Sequence, residues 1–231
     1  MNDSATTHSH SIRSFVVRAG RITTAQLRAL DELWPRYGIA LVKNHPLELE
    51  TIFERPAPKI LEIGFGNGDN LAALAQAHPH CDFLGAEVHR PGIGHLLQRI
   101  QQLGLGNVRV VADDAVELLE SGIAPGALDG VVILFPDPWH KKRHHKRRLI
   151  QGPFVSLLAS RLRQGGRVEL ATDWEPYALQ MREVLDANPQ FTNLAADRGF
   201  VDRPEWRTLT RFERRGVRLG HGVWDLAYLR T

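Results

Sequence analysis

The chain has 231 residues, of which 43% are hydrophobic and 24% charged, a balance typical of one globular α/β domain. No apolar run approaches the roughly 20 residues of a membrane-spanning helix, and residues 1–20 lack the apolar core of a signal peptide. The single cysteine, Cys81, excludes an internal disulfide and a zinc site made of several cysteines, so we expect a cytoplasmic protein.

The net charge of +3 is spread unevenly along the chain. Residues 140–148, which we call the basic segment, consist only of Lys, Arg and His, and residues 203–218 contain six further arginines. Clustering of this kind is typical of proteins that bind a polyanion such as a nucleic acid. The alternative is a set of solvated charges, which an acid-free block of this length makes the weaker interpretation.

The elements are predicted in chain order as follows. Residues 1–12 are polar and predicted to be disordered, and a short helix from Thr24 to Trp34, capped by Thr23 or Thr24, should end before Pro35. We assign residues 1–50 to an N-terminal arm and residues 51–231 to the main domain. There, seven strands are predicted at Lys59–Gly64, Asp82–Val88, Val108–Ala112, Gly130–Phe135, Arg167–Thr172, Phe191–Ala195 and Trp224–Arg230. Helices are predicted at Asn70–Gln76, Gly94–Leu103, Ala115–Leu119, Leu149–Leu162 and Pro176–Ala187, with Gly104, Gly122 and Gly165–Gly166 as helix stops.

Alternating strands and helices predict a doubly wound, mostly parallel sheet. In such sheets ligands bind beyond the carboxyl ends of the strands. Glycine or acidic residues follow five of the predicted strands: Gly64, Glu87, Asp114, Asp137 and Asp173. Their recurrence at one edge predicts the binding site.

The segment after the first predicted strand favours S-adenosylmethionine as the cofactor. Gly64, Gly66 and Gly68 permit a tight turn before a helix, but their spacing differs from the G-x-G-x-x-G of dinucleotide-binding proteins. Glu62 would repel a pyrophosphate and suit the ammonium and sulfonium of S-adenosylmethionine. Glu87 can accept from both ribose hydroxyls and Asp114 from the adenine amino group. We interpret Asp113 and Glu117 as helix-cap or strand-end residues, and Asp69 as the cap of the first helix of the main domain.

Two prolines constrain the segment Pro136-Asp137-Pro138-Trp139 after the fourth predicted strand. Asp137 should therefore project into the cleft with little freedom. Trp139 could either form a wall for an aromatic base or be a core residue that covers the strand end, and the sequence leaves both open.

Long motifs resemble those of bacterial tRNA (guanine-N7-)-methyltransferases. They are FPDPWHKKRHHKRR at 135–148, ATDWEPYA at 171–178, TRFERRG at 210–216, LGHGVWDLAY at 219–228 and RSFVVRAGR at 13–21. The resemblance implies methyl transfer from S-adenosylmethionine to guanosine 46 in the variable loop of tRNA. It also implies a Rossmann-like class I methyltransferase domain over residues 51–231, with seven mostly parallel strands and helices on both faces of the sheet.

The resemblance also assigns roles to residues. Cofactor contacts fall to Glu62, Glu87, Asp114 and Asp137, and substrate contacts to Lys141, Asp173, Thr210, Arg211, Phe212 and Glu213. The RNA-contacting segment would comprise Arg143, His144, His145, Lys146, Arg147 and Arg148, so we expect replacement of Arg147 and Arg148 by alanine to weaken tRNA binding and flatten its salt dependence.

The chemistry agrees with these roles, because guanine N7 carries a lone pair at neutral pH and its methylation requires no general base. Methylation leaves the purine positively charged, so we assign to Asp137 the stabilisation of that charge, and to Asp173 contacts with the guanine N1–H and amino group. We expect no metal site, because the cations that flank the histidines at 140, 144 and 145 would repel a divalent ion.

Three other classes of protein stay open on the sequence alone. The first is a methyltransferase that acts on an exocyclic amine or on another RNA base, since related Asp/Asn-Pro-Pro-Tyr/Trp segments serve amine methylation. The second is a dinucleotide-dependent oxidoreductase, and the third is a non-catalytic RNA-binding or scaffolding protein with the same fold. We expect a monomer whose main partner is tRNA.

Overall fold

One eight-stranded sheet organises the chain. A computed structural model describes residues 20–42, 45–207, 213 and 222–231. The strands are β1 Gly38–Ile39, β2 Lys59–Ile63, β3 Asp82–Ala86, β4 Val108–Val111, β5 Leu128–Leu134, β6 Leu162–Thr172, β7 Phe191–Asn193 and β8 Trp224–Arg230. Seven of these are the predicted strands, and the two-residue edge strand β1 makes the sheet larger than expected.

The sheet extends to both sides of β2, with β3 and β4 on one side and β5 and β6 on the other. The order is β1-β4-β3-β2-β5-β6-β8-β7, and β1 to β6 are parallel, while β8 is antiparallel to both of its neighbours. Ile63, the last residue of β2, lies opposite Ala86 of β3 on one side and Ile133 of β5 on the other. The chain reverses direction across the sheet between β2 and β5, which is where doubly wound folds bind ligands.

Helices cover both faces of the sheet, as predicted. They are α1 Thr24–Tyr37, α2 Leu49–Phe53, α3 Asp69–Ala77, α4 Arg90–Leu103, α5 Ala115–Glu117, α6 Gly152–Arg161 and α7 Glu175–Asp186, with a π-helical turn at Leu118–Gly122 and a 3₁₀-helix at Lys142–Arg147. One apolar layer packs α1, α3 and α4 on the sheet through residues such as Leu71 and Leu96. The other packs α6 and α7 through residues such as Leu158 and Met181. No helix among the described residues is long and apolar enough to cross a membrane.

Helix α1 extends past the residue at which the sequence predicts its end. It starts with a capping box between Thr23 and Gln26, as predicted, but it continues through Pro35 to Tyr37. Tyr37 is 4% exposed, and the N–H of Gly38 still donates to the carbonyl of Trp34. Burial of Tyr37 offsets the hydrogen bond that Pro35 cannot donate.

The described part of the N-terminal arm contacts the main domain directly. Helix α1 lies on α4, where a Cβ at Gly94 would come within 2.8 Å of the carbonyl oxygen of Gln26. Strand β1 then pairs with β4, with Gly38 opposite Val110. The division of the chain at residue 50 stays a proposal.

Both predicted ends of helix α6 are wrong, and α4 begins at Arg90, four residues before the predicted Gly94. Helix α6 covers Gly152–Arg161 rather than Leu149–Leu162, because Leu162 already pairs with Leu128 of β5. Gly165 and Gly166 therefore stop no helix; they lie inside β6, where the register with β5 shifts and Gly165 has φ of 78°. Between these two paired positions β6 has three more residues than β5, an irregularity to which glycine is suited.

Candidate active site

The turn at residues 64–68 brings backbone, not side chains, to the edge of the sheet at which the parallel strands end. We call this edge the carboxyl edge. Gly64, Gly66 and Gly68 have φ of 70°, 58° and 77°, which favours glycine. A Cβ at Gly64 or Gly66 would meet nothing within 4 Å, so a ligand can approach the backbone there. Gly68, not Asp69 as predicted, is the N-cap of α3; Asp69 is the first helical residue, without a side-chain cap.

Glu62 is a buried carboxylate beneath this turn. Its side chain points from β2 to Asn70 of α3, whose Nδ2 donates to Oε2 at 3.1 Å, and the residue is 2% exposed. Burial raises the pKa of Glu62 to about 8; the bond from Asn70 opposes this rise, and the charge of Glu87 adds to it. The sequence did not indicate Asn70, although a polar residue in the first turn of a buried helix was the available signal.

Glu87 joins the end of β3 to the glycine turn. Its Oε2 accepts from the N–H of Gly66 at 2.8 Å, and its Oε1 accepts from the N–H groups of Val88 and His89 at 2.8 and 2.9 Å. A carboxylate offers about four acceptor positions, so Oε2 can accept one more bond. This is compatible with the predicted contact to a ribose hydroxyl.

Asp114 both follows β4 and caps the next helix. Its Oδ1 accepts from the N–H of Val116 at 2.7 Å, and its own N–H donates to Oδ1 of Asp113 at 2.8 Å. Of the two interpretations of Asp113, helix cap or strand-end residue, the first is wrong, because the cap is Asp114. The predicted contact of Asp114 with adenine would fall to its second oxygen.

The strand order places the predicted site residues in a row. Across the sheet β4, β3, β2, β5 and β6 are neighbours, so the carboxyl edge presents in turn Asp114, Glu87, the glycine turn above Glu62, Asp137 and Asp173. Neighbouring strands lie about 4.8 Å apart, so the row matches an elongated ligand followed by a second one. Glu62 and Glu87 both contact the segment that runs from the glycine turn into α3, through Asn70 and through the N–H of Gly66.

The turn at residues 136–139 begins from a constrained backbone. Phe135 has φ of 52° and its N–H donates to the carbonyl of Ala171 at 2.8 Å; Trp139 has φ of 44°. The half-buried ring of Trp139 contacts the guanidinium of Arg147 at 4.6 Å and lies edge-on to His144 at 5.8 Å. These contacts favour a wall beneath the basic segment over a core tryptophan.

Most of the basic segment is a 3₁₀-helix with exposed cations. Lys141, Lys142, Arg143 and Lys146 are exposed, whereas His144, His145 and Arg147 are half-buried. Burial lowers the pKa of His144, and the neighbouring cations lower it further. The exposed positions are suited to phosphate contacts.

Arg148 is a correction to the predicted RNA-contacting set. It is 3% exposed, its Nε donates to the carbonyl of Pro138 at 2.9 Å, and its Nη1 donates to Oε1 of Gln180 at 2.6 Å. Its guanidinium also lies 4.8 Å from the ring centre of Tyr177. Arg148 therefore packs the basic segment against α7 and is not available to RNA.

The predicted substrate residues are only partly described. Asp173 is half-buried directly after β6, and Lys141 is exposed. Thr210, Arg211 and Phe212 lie outside the described residues. Glu213 is 3% exposed, and its carboxylate forms a bidentate pair with Arg207 at 2.5 and 3.0 Å. The sequence did not single out Arg207 among the six arginines of residues 203–218.

The comparisons with known proteins agree with this arrangement. Residues 56–226 match the model of a family described as putative methyltransferase. Over 221 residues, 96% of this chain and 86% of the relative, it is 57% identical to a tRNA (guanine-N(7)-)-methyltransferase of Burkholderia cenocepacia. A protein of the same name from Thiobacillus denitrificans is 56% identical over 219 residues, 95% of each chain.

The chain belongs to the tRNA (guanine-N(7)-)-methyltransferase family. Solved structures support the fold that the family implies. An antibiotic-related methyltransferase matches with a TM-score of 0.55 at 18% identity, over 83% of this chain and 96% of that one. A 16S rRNA (adenine(1408)-N(1))-methyltransferase variant from Catenulisporales acidiphilia matches with a TM-score of 0.54 at 16% identity, over 80% and 90%. The predicted class I methyltransferase fold is thus confirmed, and with it the enzyme class.

The residues of this chain fit S-adenosylmethionine, the cofactor of such methyltransferases. The glycine turn leaves backbone open at Gly64 and Gly66, next to a buried carboxylate whose raised pKa marks it as short of positive charge. A ligand with an ammonium and a sulfonium would supply that charge. Glu62, Glu87, Asp114 and Asp137 are the residues we expect to hold it.

An open groove of about 620 Å³ lies elsewhere, between α6 and α7. His145 and Lys146 line one end of it, and Asn188 and Pro189 the other. None of the acidic residues of the carboxyl edge lines it. We therefore place the methyltransferase site at the carboxyl edge and not in this groove.

Proposed function

We propose that this protein transfers a methyl group from S-adenosylmethionine to N7 of a guanine in tRNA, and that the guanine is guanosine 46 of the variable loop. The observation that carries the proposal is the row of carboxylates from Asp114 to Asp173, which ends beside an exposed cationic 3₁₀-helix. The names of the relatives, each more than half identical to this chain, support the same substrate and the same ring nitrogen.

The chemistry requires positioning rather than proton transfer. Bound S-adenosylmethionine supplies an electrophilic methyl group on a sulfonium sulfur. The C–S bond breaks as the N7–C bond forms, the lone pair of N7 provides the electrons, and positive charge passes from sulfur to the purine. Holding the two reactants in line can contribute several kcal/mol to the barrier reduction. No side chain of this chain has to take up a proton.

Each region of the carboxyl edge then has a defined task. Glu62, Glu87 and Asp114 hold the cofactor. Asp137 also contacts the cofactor and faces the developing positive charge on the purine, and Asp173 accepts from the N1–H and amino group of guanine. Lys141, Arg143, Lys146 and Arg147 contact RNA phosphates, and Trp139 forms a wall beside the base. In the proposed role, Asp137 lowers the energy of the charged transition state more than that of the neutral guanine.

Incubation with bulk tRNA and methyl-labelled S-adenosylmethionine tests the reaction. Label in 7-methylguanosine after nuclease digestion is the expected result, and a tRNA transcript with adenosine at position 46 should accept none. Label in another nucleoside would contradict the proposed reaction and show that the enzyme methylates another base. Cofactor binding without transfer would support a scaffold instead.

The role of Asp137 is tested by Asp137→Ala. Loss of one preorganised electrostatic contact typically lowers kcat by about 100- to 1000-fold, and we expect a fall of that size. The matched control is Glu120→Gln, an exposed carboxylate on the π-helical turn, which should leave kcat unchanged. Near-wild-type turnover by Asp137→Ala would remove Asp137 from the reaction.

We also propose that the enzyme acts as a monomer in the cytoplasm, where its tRNA substrate is processed. The proposal is supported by the small number of exposed large apolar side chains among the described residues, which are Leu27, Val42, Leu179 and Leu194.

A further inference from the structure

A guanidinium is buried between two carboxylates close to the proposed site. Arg207, Glu213 and Asp225, which we call the Arg207 cluster, are 1%, 3% and 4% exposed. The Nη1 and Nη2 of Arg207 donate to the two oxygens of Glu213 at 2.5 and 3.0 Å, and Nη2 also donates to Oδ2 of Asp225 at 3.0 Å. Nε lies 2.7 Å from Oδ1 of Asp225, off the hydrogen-bond direction, so that contact is an ion pair.

Burial of three charged side chains removes them from water at a cost in free energy, so the place of the Arg207 cluster in the fold calls for an explanation. Two carboxylates face one guanidinium, and the second cation nearby, Arg203, lies 3.6 Å from Glu213 and is 43% exposed. Burial raises the pKa of Asp225, and the charge of Arg207 opposes this rise. Buried ion pairs contribute little net stability compared with apolar packing, and in some proteins they instead fix one arrangement of the chain.

The cluster lies directly behind the turn that carries Asp137. Asp225 is on β8, opposite Ala171 of β6, and the carbonyl of Ala171 accepts from the N–H of Phe135. The ring of Phe135 lies 5.6 Å from the guanidinium of Arg207. Phe135 is the residue whose positive φ directs the chain from β5 into the turn at residues 136–139. One guanidinium thus contacts both Glu213 and the residue on which the direction of Asp137 depends.

We propose that Arg207 is a positioning residue of the methyl transfer: it fixes Glu213 against β8 and supports Phe135, so that Glu213 and Asp137 keep one relative position. The inference rests on the proposed function, because it assumes that Asp137 acts on the guanine and that Glu213, which the resemblance assigns to the substrate, belongs to the same site. Arg207 acts through these residues and does not contact the reacting atoms.

The test uses Arg207→Lys and Asp225→Asn in the full-length protein. Lysine keeps the buried charge but cannot bind Glu213 bidentately while it reaches Asp225. We expect kcat at saturating tRNA to fall about 100-fold in Arg207→Lys, the size of effect that a displacement of about 1 Å produces. Asp225→Asn keeps the pair of Arg207 and Glu213, so its kcat should fall less than that of Arg207→Lys. The Kd for S-adenosylmethionine should change far less than kcat in both, because only Asp137 of the four expected cofactor residues lies near the Arg207 cluster. Glu62 lies on β2, and Glu87 and Asp114 follow β3 and β4.

Asp82→Asn is the matched control. Asp82 is also a buried aspartate under an arginine, Arg55, but it lies at the start of β3, at the opposite edge of the sheet. It should lower the melting temperature and leave kcat and the KM for tRNA unchanged. A fall in kcat without a parallel loss of cofactor affinity, confined to the Arg207 cluster, supports the proposal.

Two results would overturn it. One is wild-type kcat and KM in Arg207→Lys; the other is a loss of cofactor affinity parallel to the loss of kcat, which would mean general disruption. If Arg207→Lys does not fold, the same two results measured with Asp225→Asn would overturn the proposal. Absence of 7-methylguanosine with the wild-type enzyme would instead refute the proposed function, so the two failures are distinguishable.

Discussion

At the residue scale, Glu62 links the protonation of the free enzyme to cofactor binding. Its pKa of about 8 means that at neutral pH the free enzyme holds a proton on this buried carboxyl. A bound ammonium or sulfonium would favour the charged form, lower the pKa and release the proton. The affinity for S-adenosylmethionine should therefore rise with pH up to about 8 and level off above it, by at most about tenfold per pH unit for one proton.

Glu62→Gln is the control for this prediction. Glutamine keeps the size and an acceptor for Asn70 but cannot titrate, so its affinity should be lower and its pH slope smaller, while titration of the amino group of the cofactor affects both proteins alike. Calorimetric Kd values between about pH 6 and pH 9 measure the difference, in the pH window set by the raised pKa. Equal slopes in the two proteins would contradict the role of Glu62.

The raised pKa of Glu62 also makes the free energy of unfolding depend on pH. Between the ordinary carboxyl pKa and about 8, the folded protein binds a proton that the unfolded chain has lost. The contribution of Glu62 to the free energy of unfolding is therefore present at low pH and lost as pH rises through about 8.

The positions of site residues were predictable where they follow from the order of the strands alone. Glu87, Asp114, Asp137 and Asp173 each come after a strand, and parallel strands end at one edge, so the row at the carboxyl edge follows from the sequence. Arg148 could not be told from its basic neighbours, because only packing on α7 distinguishes it. The Arg207 cluster joins residues 18 positions apart that no local pattern connects.

At the element scale, the basic segment should bind RNA through its exposed cations. We now choose Arg143 and Lys146 for replacement by alanine, since Arg148 is buried and its loss would disturb packing. Each phosphate contact contributes about 0.7–0.9 to the slope of log K against log salt, so the double variant should lose between one and two from that slope. The Kd for tRNA at several salt concentrations measures it.

Arg163→Ala is the control for that measurement. Arg163 lies at the start of β6, away from the basic segment. It is 54% exposed and pairs with Asp129 of β5. It should leave the salt slope for tRNA unchanged, and the cofactor Kd should stay constant in all variants. A wild-type slope in the double variant would return the basic segment to an ordinary solvated surface.

A second element-scale feature is the close approach of α4 to the glycine turn. A Cβ at Gly92 would lie 2.0 Å from the carbonyl oxygen of Gly66, and Nδ1 of His95 lies 2.8 Å from the carbonyl oxygen of Asn67. Because backbone would have to move, Gly92→Ala should push α4 away from the turn, weaken cofactor binding and cost about 1–3 kcal/mol of stability. Calorimetry and chemical unfolding measure the two effects.

Gly106→Ala is the matched substitution for Gly92→Ala. Gly106 is exposed, and a Cβ there would meet nothing within 4 Å. It should change neither stability nor cofactor affinity appreciably. Unchanged cofactor affinity in Gly92→Ala would show that the contact between α4 and the turn does not shape the site.

Elements were predictable where their patterns are long. Seven strands and both helical layers follow from alternating apolar runs, whereas β1, α2 and the 3₁₀-helix are too short to show a period. The predicted end of α1 was wrong because proline usually ends a helix, whereas here the burial of Tyr37 favours continuation of the helix past Pro35. Tertiary packing decided where local signals were weak or opposed.

At the scale of the whole molecule, the two edges of the sheet have different tasks. The carboxyl edge carries the proposed chemistry, and the opposite edge carries a buried ion network that holds the sheet together. Asp82 is fully buried there, with Nη2 of Arg55 at 2.6 Å from Oδ1 and Nζ of Lys59 at 3.0 Å from Oδ2. Lys59 also donates its backbone N–H to Asp129, which ties β2 to β5.

This division predicts that stability and catalysis separate in one variant. Asp82→Asn leaves two buried or half-buried cations without their carboxylate, so the free energy of unfolding should fall by about 3 kcal/mol, the low end for a broken buried pair because Arg55 is 39% exposed. Urea unfolding measures the fall, with the exposed Asp202→Asn as a control that should lie within about 0.5 kcal/mol of wild type. Well below the melting temperature, kcat and the KM for tRNA should be unchanged, because the site residues lie at the other ends of the strands. Lost turnover at full stability would mean that the amino ends of the strands take part in catalysis.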